Sequence, residues 1–266
     1  MFFGDASGLE PLLPWLMAAI GLILGSFANV CIHRLPRGES VVAPRSRCPR
    51  CGVQIGARDN VPVVSWLLLR GRCRACGAPI APRYPLIEAA NSLLYALAAA
   101  AFGVTPRSLL VMGFLTAFLV LALIDLEHQL LPDAITFPGV GLGIAGSLLP
   151  GSTVPLASSV VAAAAGYAVF AAIARLGRWY YGEEALGAGD WKLVAMIGAL
   201  LGVLGLVTAV FLGSLAGAIV GITLLGRGRA TGRTRIPFGS FLALGAVLTV
   251  FVGEPAMAWY RGLLGG

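Results

Sequence analysis

The chain alternates between long apolar runs and short polar segments. Eight apolar runs fall near residues 12–32, 86–103, 108–124, 134–149, 154–176, 191–206, 207–225 and 236–252. Runs of this kind predict membrane-crossing helices, because the hydrocarbon core of a bilayer takes about 20 apolar residues of helix. The expected fold is therefore an all-α polytopic membrane protein with about eight transmembrane helices. The division near Leu206/Val207 has no polar break, only Gly202, Gly205 and Gly213 around it. The first run has no basic stretch before it and is too long for the apolar core of a signal peptide, so it is expected to stay as a transmembrane helix. Residues 34–85 form the one long polar segment. The expected organisation is a first transmembrane helix (1–33), a soluble insertion (34–85) and a seven-helix membrane core (86–266). Near the end of the first run, the small residues Gly25, Ser26 and Ala28 predict close helix packing; Asn29 can bond across helices or face a polar cleft, and packing is the expected role of all four.

Composition agrees with the pattern. Of 266 residues, 58% are apolar and only 12% are charged, against about 25% charged in soluble domains. The net charge of +7 sits in the segments between runs. With the amino terminus outside, residues 34–85, 126–133, 175–192 and 227–235 lie inside, and they hold 17 of the 19 Arg and Lys residues. That bias predicts eight spans with both termini outside the cytoplasm. It also accounts for the basic charge without nucleic-acid binding, which is not expected.

Four of the five cysteines form two C-x-x-C pairs inside residues 34–85: Cys48 with Cys51, and Cys73 with Cys76, each pair followed by glycine (Gly52, Gly77). Each C-x-x-C-G predicts a tight knuckle that turns two thiolates toward one ion. Two knuckles make a closed tetrahedral zinc site with no open position. In the cytoplasm thiols stay reduced, which favours zinc over disulfides or a redox pair. Such a site serves folding and not catalysis. Cys31 is left over and reads as a buried apolar residue.

The segment Glu183-Glu184-Ala185-Leu186-Gly187-Ala188-Gly189-Asp190-Trp191-Lys192 places a G-x-G-D at the mouth of the sixth run. A carboxylate at the edge of hydrocarbon is expensive and points to function. Gly187 and Gly189 let another backbone, such as an extended substrate, come close. Taken alone, Asp190 reads equally well as a helix N-cap. A second carboxylate changes the balance. Asp125 ends the third run, where the helix macrodipole opposes an acid, so helix stability does not explain it. On the expected topology both aspartates lie at the same depth, at the cytoplasmic edge of different helices. Two neighbouring carboxylates share a proton: one can activate water while the other donates to a scissile carbonyl. Glu127, Asp133, Glu183 and Glu184 read as solvated loop charges, with Asp133 the stand-in if Asp125 is misassigned. His128 reads as an interfacial polar residue.

These residues resemble the type IV prepilin peptidases, members of the GxGD intramembrane aspartyl proteases. The resemblance rests on residues 25–36 (GSFANVCIHRLP), both cysteine knuckles with Gly71-Arg72-Cys73, and Arg83-Tyr84-Pro85-Leu86-Ile87-Glu88. It continues through Ile124-Asp125-Leu126, Leu131-Pro132-Asp133, Gly187 to Leu193, and Ile236-Pro237-Phe238-Gly239. Ala28 and Ser240 stand where leucine and proline are expected, departures read as touching packing only. The resemblance implies removal of the basic leader of type IV prepilins and type II secretion pseudopilins at the bacterial inner membrane. It implies Asp125 and Asp190 as catalytic residues and N-methylation of the new terminus from S-adenosylmethionine. No residue is assigned to that methyl donor; Glu88 is one candidate, and no G-x-G-x-x-G after a strand is present. Because the family's leaders are basic, Glu183 and Glu184, with the backbone near Gly187 and Gly189, are the candidate substrate contacts. Two other classes fit the bare residues: a proton- or cation-coupled transporter using Asp125 and Asp190, and a non-enzymatic zinc-bearing secretion scaffold.

Overall fold

The computed structural model describes residues 10–181, 187–228 and 237–263. Apart from two isolated β-bridges, the regular elements among them are helices: α1 (Leu13–Arg34), α2 (Val64–Leu68), α3 (Arg83–Phe102), α4 (Pro106–His128), α5 (Asp133–Gly146), α6 (Leu156–Tyr181), α7 (Ala188–Gly226) and α8 (Phe238–Leu263). Prolines punctuate them where their fixed φ helps: Pro14 in the first turn of α1 and Pro106 at the head of α4. The chain divides into two compact units, one ending at Thr116 and one beginning at Ala117, so α4 starts in the first and ends in the second.

In the first unit α1 and α3 run antiparallel. Gly21 and Gly25 make this possible: a Cβ at either would lie 2.8 Å from the backbone of Ser92 or Glu88. The close approach is held by hydrogen bonds across the pair. Asn91 Nδ2 donates to the Gly21 carbonyl (2.8 Å), Ser92 Oγ to Ala18 (2.9 Å) and Asn29 Nδ2 to Tyr84 (3.2 Å). In a membrane, small residues and polar bonds of this kind replace the hydrophobic drive between helices. Residues 35–82 form the cysteine module between them.

The second unit contains the end of α4 with α5–α8. Its organising feature is the break in α7. Gly202 has φ +69°, and a Cβ there would meet Ser158 Oγ at 2.7 Å. In a straight helix Val194 and Leu206 would be about 18 Å apart. Yet side chains of both lie 2.9 Å from the place a Gly166 Cβ would take, so α7 doubles back at Gly202. The two arms, 188–201 and 203–226, are the sixth and seventh of eight long helical segments that match the eight apolar runs. The break falls at Gly202 and not at Leu206/Val207. The reversal depends on a left-handed residue packed against α6, which hydropathy does not register. The first arm packs on α6 through Gly198, whose Cβ would lie 2.7 Å from the Ala162 backbone, and the second on α8 through Gly213 against Phe241.

Among the described residues five helical stretches are long and apolar enough to cross a membrane: Glu10–Arg37, Arg83–Phe102, Pro106–His128, Leu156–Tyr180 and Ala188–Gly226. The chain is a multi-pass membrane protein. Helices outrun the apolar runs at their polar ends, because a residue at the water edge keeps its place in the hydrogen-bond ladder whatever its side chain.

Candidate functional site

Two clusters of chemically capable side chains are present, one in each unit. The first is the cysteine module, where both knuckles repeat one pattern. In the first, Gly52 N–H donates to the Cys48 carbonyl and Cys48 N–H to Val53, both 2.9 Å. In the second, Gly77 N–H donates to Cys73 (2.9 Å) and Cys73 N–H to Ala78 (2.8 Å). Gly52 and Gly77 have φ +72° and +68°, the left-handed turn that each knuckle needs. The four sulfurs of Cys48, Cys51, Cys73 and Cys76 all lie within 4.8 Å of one another, and Cys48 Sγ is 3.9 Å from Cys76 Sγ. A tetrahedral ion bound to sulfur at about 2.3 Å sets its ligands about 3.8 Å apart, so the donor set fits one closed metal site. The backbone N–H groups of Cys51 and Arg50 hold the Cys48 thiol down to about 6, while Cys51, crowded by the other three sulfurs, goes the other way, to about 11. Cys31 is buried in α1 and is not among these ligands.

The second cluster lies in the second unit, where three helix ends meet. Asp125, in the last turn of α4, and Asp190, in the first turn of α7, are 5% and 8% exposed. Between them is Gly239, near the head of α8. A Cβ on Gly239 would lie 3.1 Å from Asp125 Oδ2 and 3.1 Å from Asp190 Oδ1. Two oxygens each 3.1 Å from one point are no more than 6.2 Å apart. Leu131, in the α4–α5 connection, sets this convergence. Its side chain lies 2.8 Å from the Cβ positions of both Gly189 and Gly239, so it locates the starts of α7 and α8 against the end of α4.

The two carboxylates have different partners. Asp125 Oδ2 accepts from the Ser240 N–H at 2.7 Å and lies 2.9 Å from Ser240 Oγ, whose one proton it shares with the Ala122 carbonyl at 2.8 Å. The macrodipole of its own helix opposes Asp125, but the N-terminus of α8 favours it. Among the described residues Asp190 Oδ2 accepts the Gly187 N–H, at 3.2 Å, closing the first turn of α7 from the N3 position. Gly187, not Asp190, is the N-cap. Asp190 thus supports the helix start and joins the pair, which reconciles the two readings of the G-x-G-D stretch.

The other sequence-level candidates fall as follows. Asp133 is engaged by Lys192 Nζ at 2.6 Å, an ion pair tying α5 to α7. Trp191 Nε1 donates to the Gly187 carbonyl (2.8 Å), with Arg175 5.7 Å over its ring. Gly189 gives its space to Leu131, an intramolecular neighbour, while the nearest described atom to the Cβ position of Gly187 is Asp190 Oδ2 at 3.7 Å. Glu183 and Glu184 lie outside the described residues. Glu88 is buried in α3 and accepts the Val63 N–H at 2.7 Å. Among the described residues there is no strand leading into a glycine-rich loop. Sequence reasoning missed Leu131 and took Ser240 for a packing residue. Ser240 in fact reaches Asp125 with both its N–H and its hydroxyl. The signal available was position: Gly239 heads an apolar run as Gly189 does.

Comparison with known proteins follows the same division. Residues 19–102 match the bacterial peptidase A24 N-terminal domain, and residues 112–222 match the type IV leader peptidase family. Three similar proteins are each named prepilin leader peptidase/N-methyltransferase. The one from Burkholderia pseudomallei is 39% identical over 93% of this chain and 86% of its own length. That of Myxococcus xanthus is 42% identical over 84% and 67%, and that of Aeromonas salmonicida is 37% identical over 93% and 95%. No solved structure matches. With a relative this similar over most of both lengths, and with family matches in both units, the chain belongs to the type IV leader peptidase family.

Proposed function

We propose that this protein is an intramembrane aspartic endopeptidase that removes the leader of type IV prepilins and pseudopilins, and that it N-methylates the new amino terminus. The observation that carries the peptidase reading is the Asp125–Asp190 pair on either side of Gly239. Family membership and the relatives' shared name support leader processing and methylation. Asp125, with two donors on one oxygen, is assigned as the base. It takes a proton from a water that adds to the scissile carbonyl. Asp190, with one long backbone contact, is assigned as the acid that donates to the carbonyl oxygen. When the C–N bond breaks, the proton held at Asp125 goes to the departing amine, and Asp190 takes a proton back from a hydroxyl of the diol, which becomes the carboxylic acid. The pair ends the turnover sharing one proton, as it began.

A pair at helix ends meets a membrane-anchored substrate where its polar leader leaves the bilayer. We assign the leader's contacts to the open side of Gly187 and to Glu183 and Glu184, whose charge complements a basic leader. The cysteine cluster is proposed to hold zinc as a folding element. Methylation is assigned S-adenosylmethionine as donor, which supplies the methyl group when bound; no residue here is given to it. We assign the protein to the inner membrane, with the cysteine module in the cytoplasm and both termini outside it; the arginine bias supports that orientation. The experiment is incubation of purified protein with a prepilin, with and without S-adenosylmethionine, followed by mass spectrometry. Loss of the leader in both, with a methyl mass added only in the second, is expected. An intact prepilin in both overturns the reading.

A further inference from the structure

Between the two knuckles, inside the segment expected to be polar and soluble, lies an uncharged stretch: Val61-Pro62-Val63-Val64-Ser65-Trp66-Leu67-Leu68-Leu69. Its orientation is the reverse of that in a water-soluble domain. The polar atoms face the protein. Ser65 is buried, donates to the Arg58 carbonyl at 2.9 Å and accepts the Val61 N–H at 3.0 Å. Trp66 turns inward, with Nε1 on the Ile80 carbonyl (3.0 Å) and its ring against Gly71. The apolar side chains face outward. Leu67 is 61% exposed, Leu68 is 78% exposed, and Val61 and Val64 are exposed as well. An exposed apolar patch on a short helix needs an occupant.

The backbone is prepared for a medium without water. The N–H groups of Val61, Val63, Val64, Ser65, Leu67 and Leu69 all have partners within the protein, the condition for non-helical backbone at membrane depth. The stretch also sits beside the spans and not beyond their ends. Val63 N–H is held by Glu88 Oε2, five residues into α3 from Arg83 and so about 8 Å along the helix axis. Pro62, Val63 and Val64 line an apolar groove of about 440 Å³ with Ala18 and Leu22 of α1 and Ala89 of α3. Immediately after the stretch come Arg70 and Arg72, both exposed, at the place where anionic headgroups would meet them.

We propose that residues 61–69 form an interfacial wedge seated in the bilayer. In this arrangement Val64, Leu67 and Leu68 lie in the hydrocarbon edge on the side where α3 begins, and Arg70 and Arg72 lie at the lipid phosphates. The occupant is phospholipid. Two features select it over a protein partner: the module is tied at both ends to membrane helices, and arginines flank the apolar face. Glu88 is the buried latch that fixes the depth. The wedge would fasten the metal module to the membrane surface, independently of the peptidase reading.

The test places an environment-sensitive fluorescent amino acid at Leu68 of the full-length, metal-loaded protein, and in a second protein at Val42, which is 87% exposed on the same module. Both are reconstituted in vesicles of phosphatidylethanolamine and phosphatidylglycerol, with or without acyl chains brominated near the headgroup, and are titrated with iodide. The Leu68 probe is expected to lose most of its emission to brominated lipid and little to iodide, and the Val42 probe the reverse. Quenching of the Leu68 probe by iodide alone overturns the wedge in favour of a water-exposed face. Shielding from both quenchers overturns it in favour of a protein-covered one. Metal content reports folding, and a probe at Leu67 replaces one at Leu68 that lowers it.

Discussion

The cysteine cluster and the aspartate pair each join residues distant in sequence, yet they are assembled by opposite means. Each knuckle of the cluster is finished locally. From Cys48 to Val53, and from Cys73 to Ala78, the turn closes on its own backbone hydrogen bonds, and only the docking of two finished halves is long-range. Apart from the contact of Asp190 with Gly187, nothing that brings the aspartates together is local. Asp125, Asp190 and Gly239 come from three helices, and what sets their spacing is a leucine wedged against two glycines. A metal supplies its own binding energy to a site of the first kind, about 10–16 kcal/mol for structural zinc. A site of the second kind draws only on packing, so small steric changes should damage it more.

That contrast can be broken or sharpened by five measurements, ordered by their effect on leader cleavage. Asp125→Asn and Asp190→Asn should each remove general acid–base catalysis, a loss of about 10²–10⁴-fold or more, while the metal content stays at wild type. Near-normal cleavage in detergent by either variant would remove that residue from the chemistry. Gly239→Ala comes next. Its methyl would press on both carboxylates and on Leu131, and a displacement of about 1 Å costs about 10²-fold. A Gly239→Ala enzyme as fast as wild type would show that the pair is not held by packing.

Ser240→Ala keeps the N–H bond to Asp125 and loses the hydroxyl bond. One hydrogen bond is worth about 1 kcal/mol, so kcat should fall about fivefold with KM unchanged. A change confined to KM would make Ser240 a substrate contact instead. Replacing Glu183 and Glu184 together by glutamine should raise KM and spare kcat, most clearly at low salt where exposed charge is least screened. An unchanged KM at low salt leaves the pair as ordinary solvated residues. Cys73→Ser should have the smallest effect on cleavage and the largest on metal, taking elemental zinc from one per chain to none. Cleavage lost in parallel with zinc would refute the separation of the two sites.

Much of this protein was legible before any coordinate. The apolar runs located all eight helical segments, because in hydrocarbon only a helix satisfies its own backbone. The C-x-x-C-G repeats marked the four sulfurs that come together, because a knuckle is a property of five or six adjacent residues. Asp125 and Asp190 stood out because a carboxylate at the membrane edge is costly enough to need a reason.

Other features became visible only when helices were packed. The turn at Gly202 is invisible to hydropathy, since it substitutes one left-handed glycine for a polar loop. Ser240 looked like a neutral replacement in a motif, and its two hydrogen bonds to Asp125 exist only because the start of α8 meets the end of α4. Leu131 carries no chemical signature at all, yet it spaces the pair. Nor does a run of valines and leucines between two knuckles reveal which of its faces turns outward. The sequence by itself determined which residues are too costly or too regularly spaced to be accidental. Only the tertiary structure decided which of them touch, because contact between helix ends depends on shapes summed over many side chains and not on any one of them.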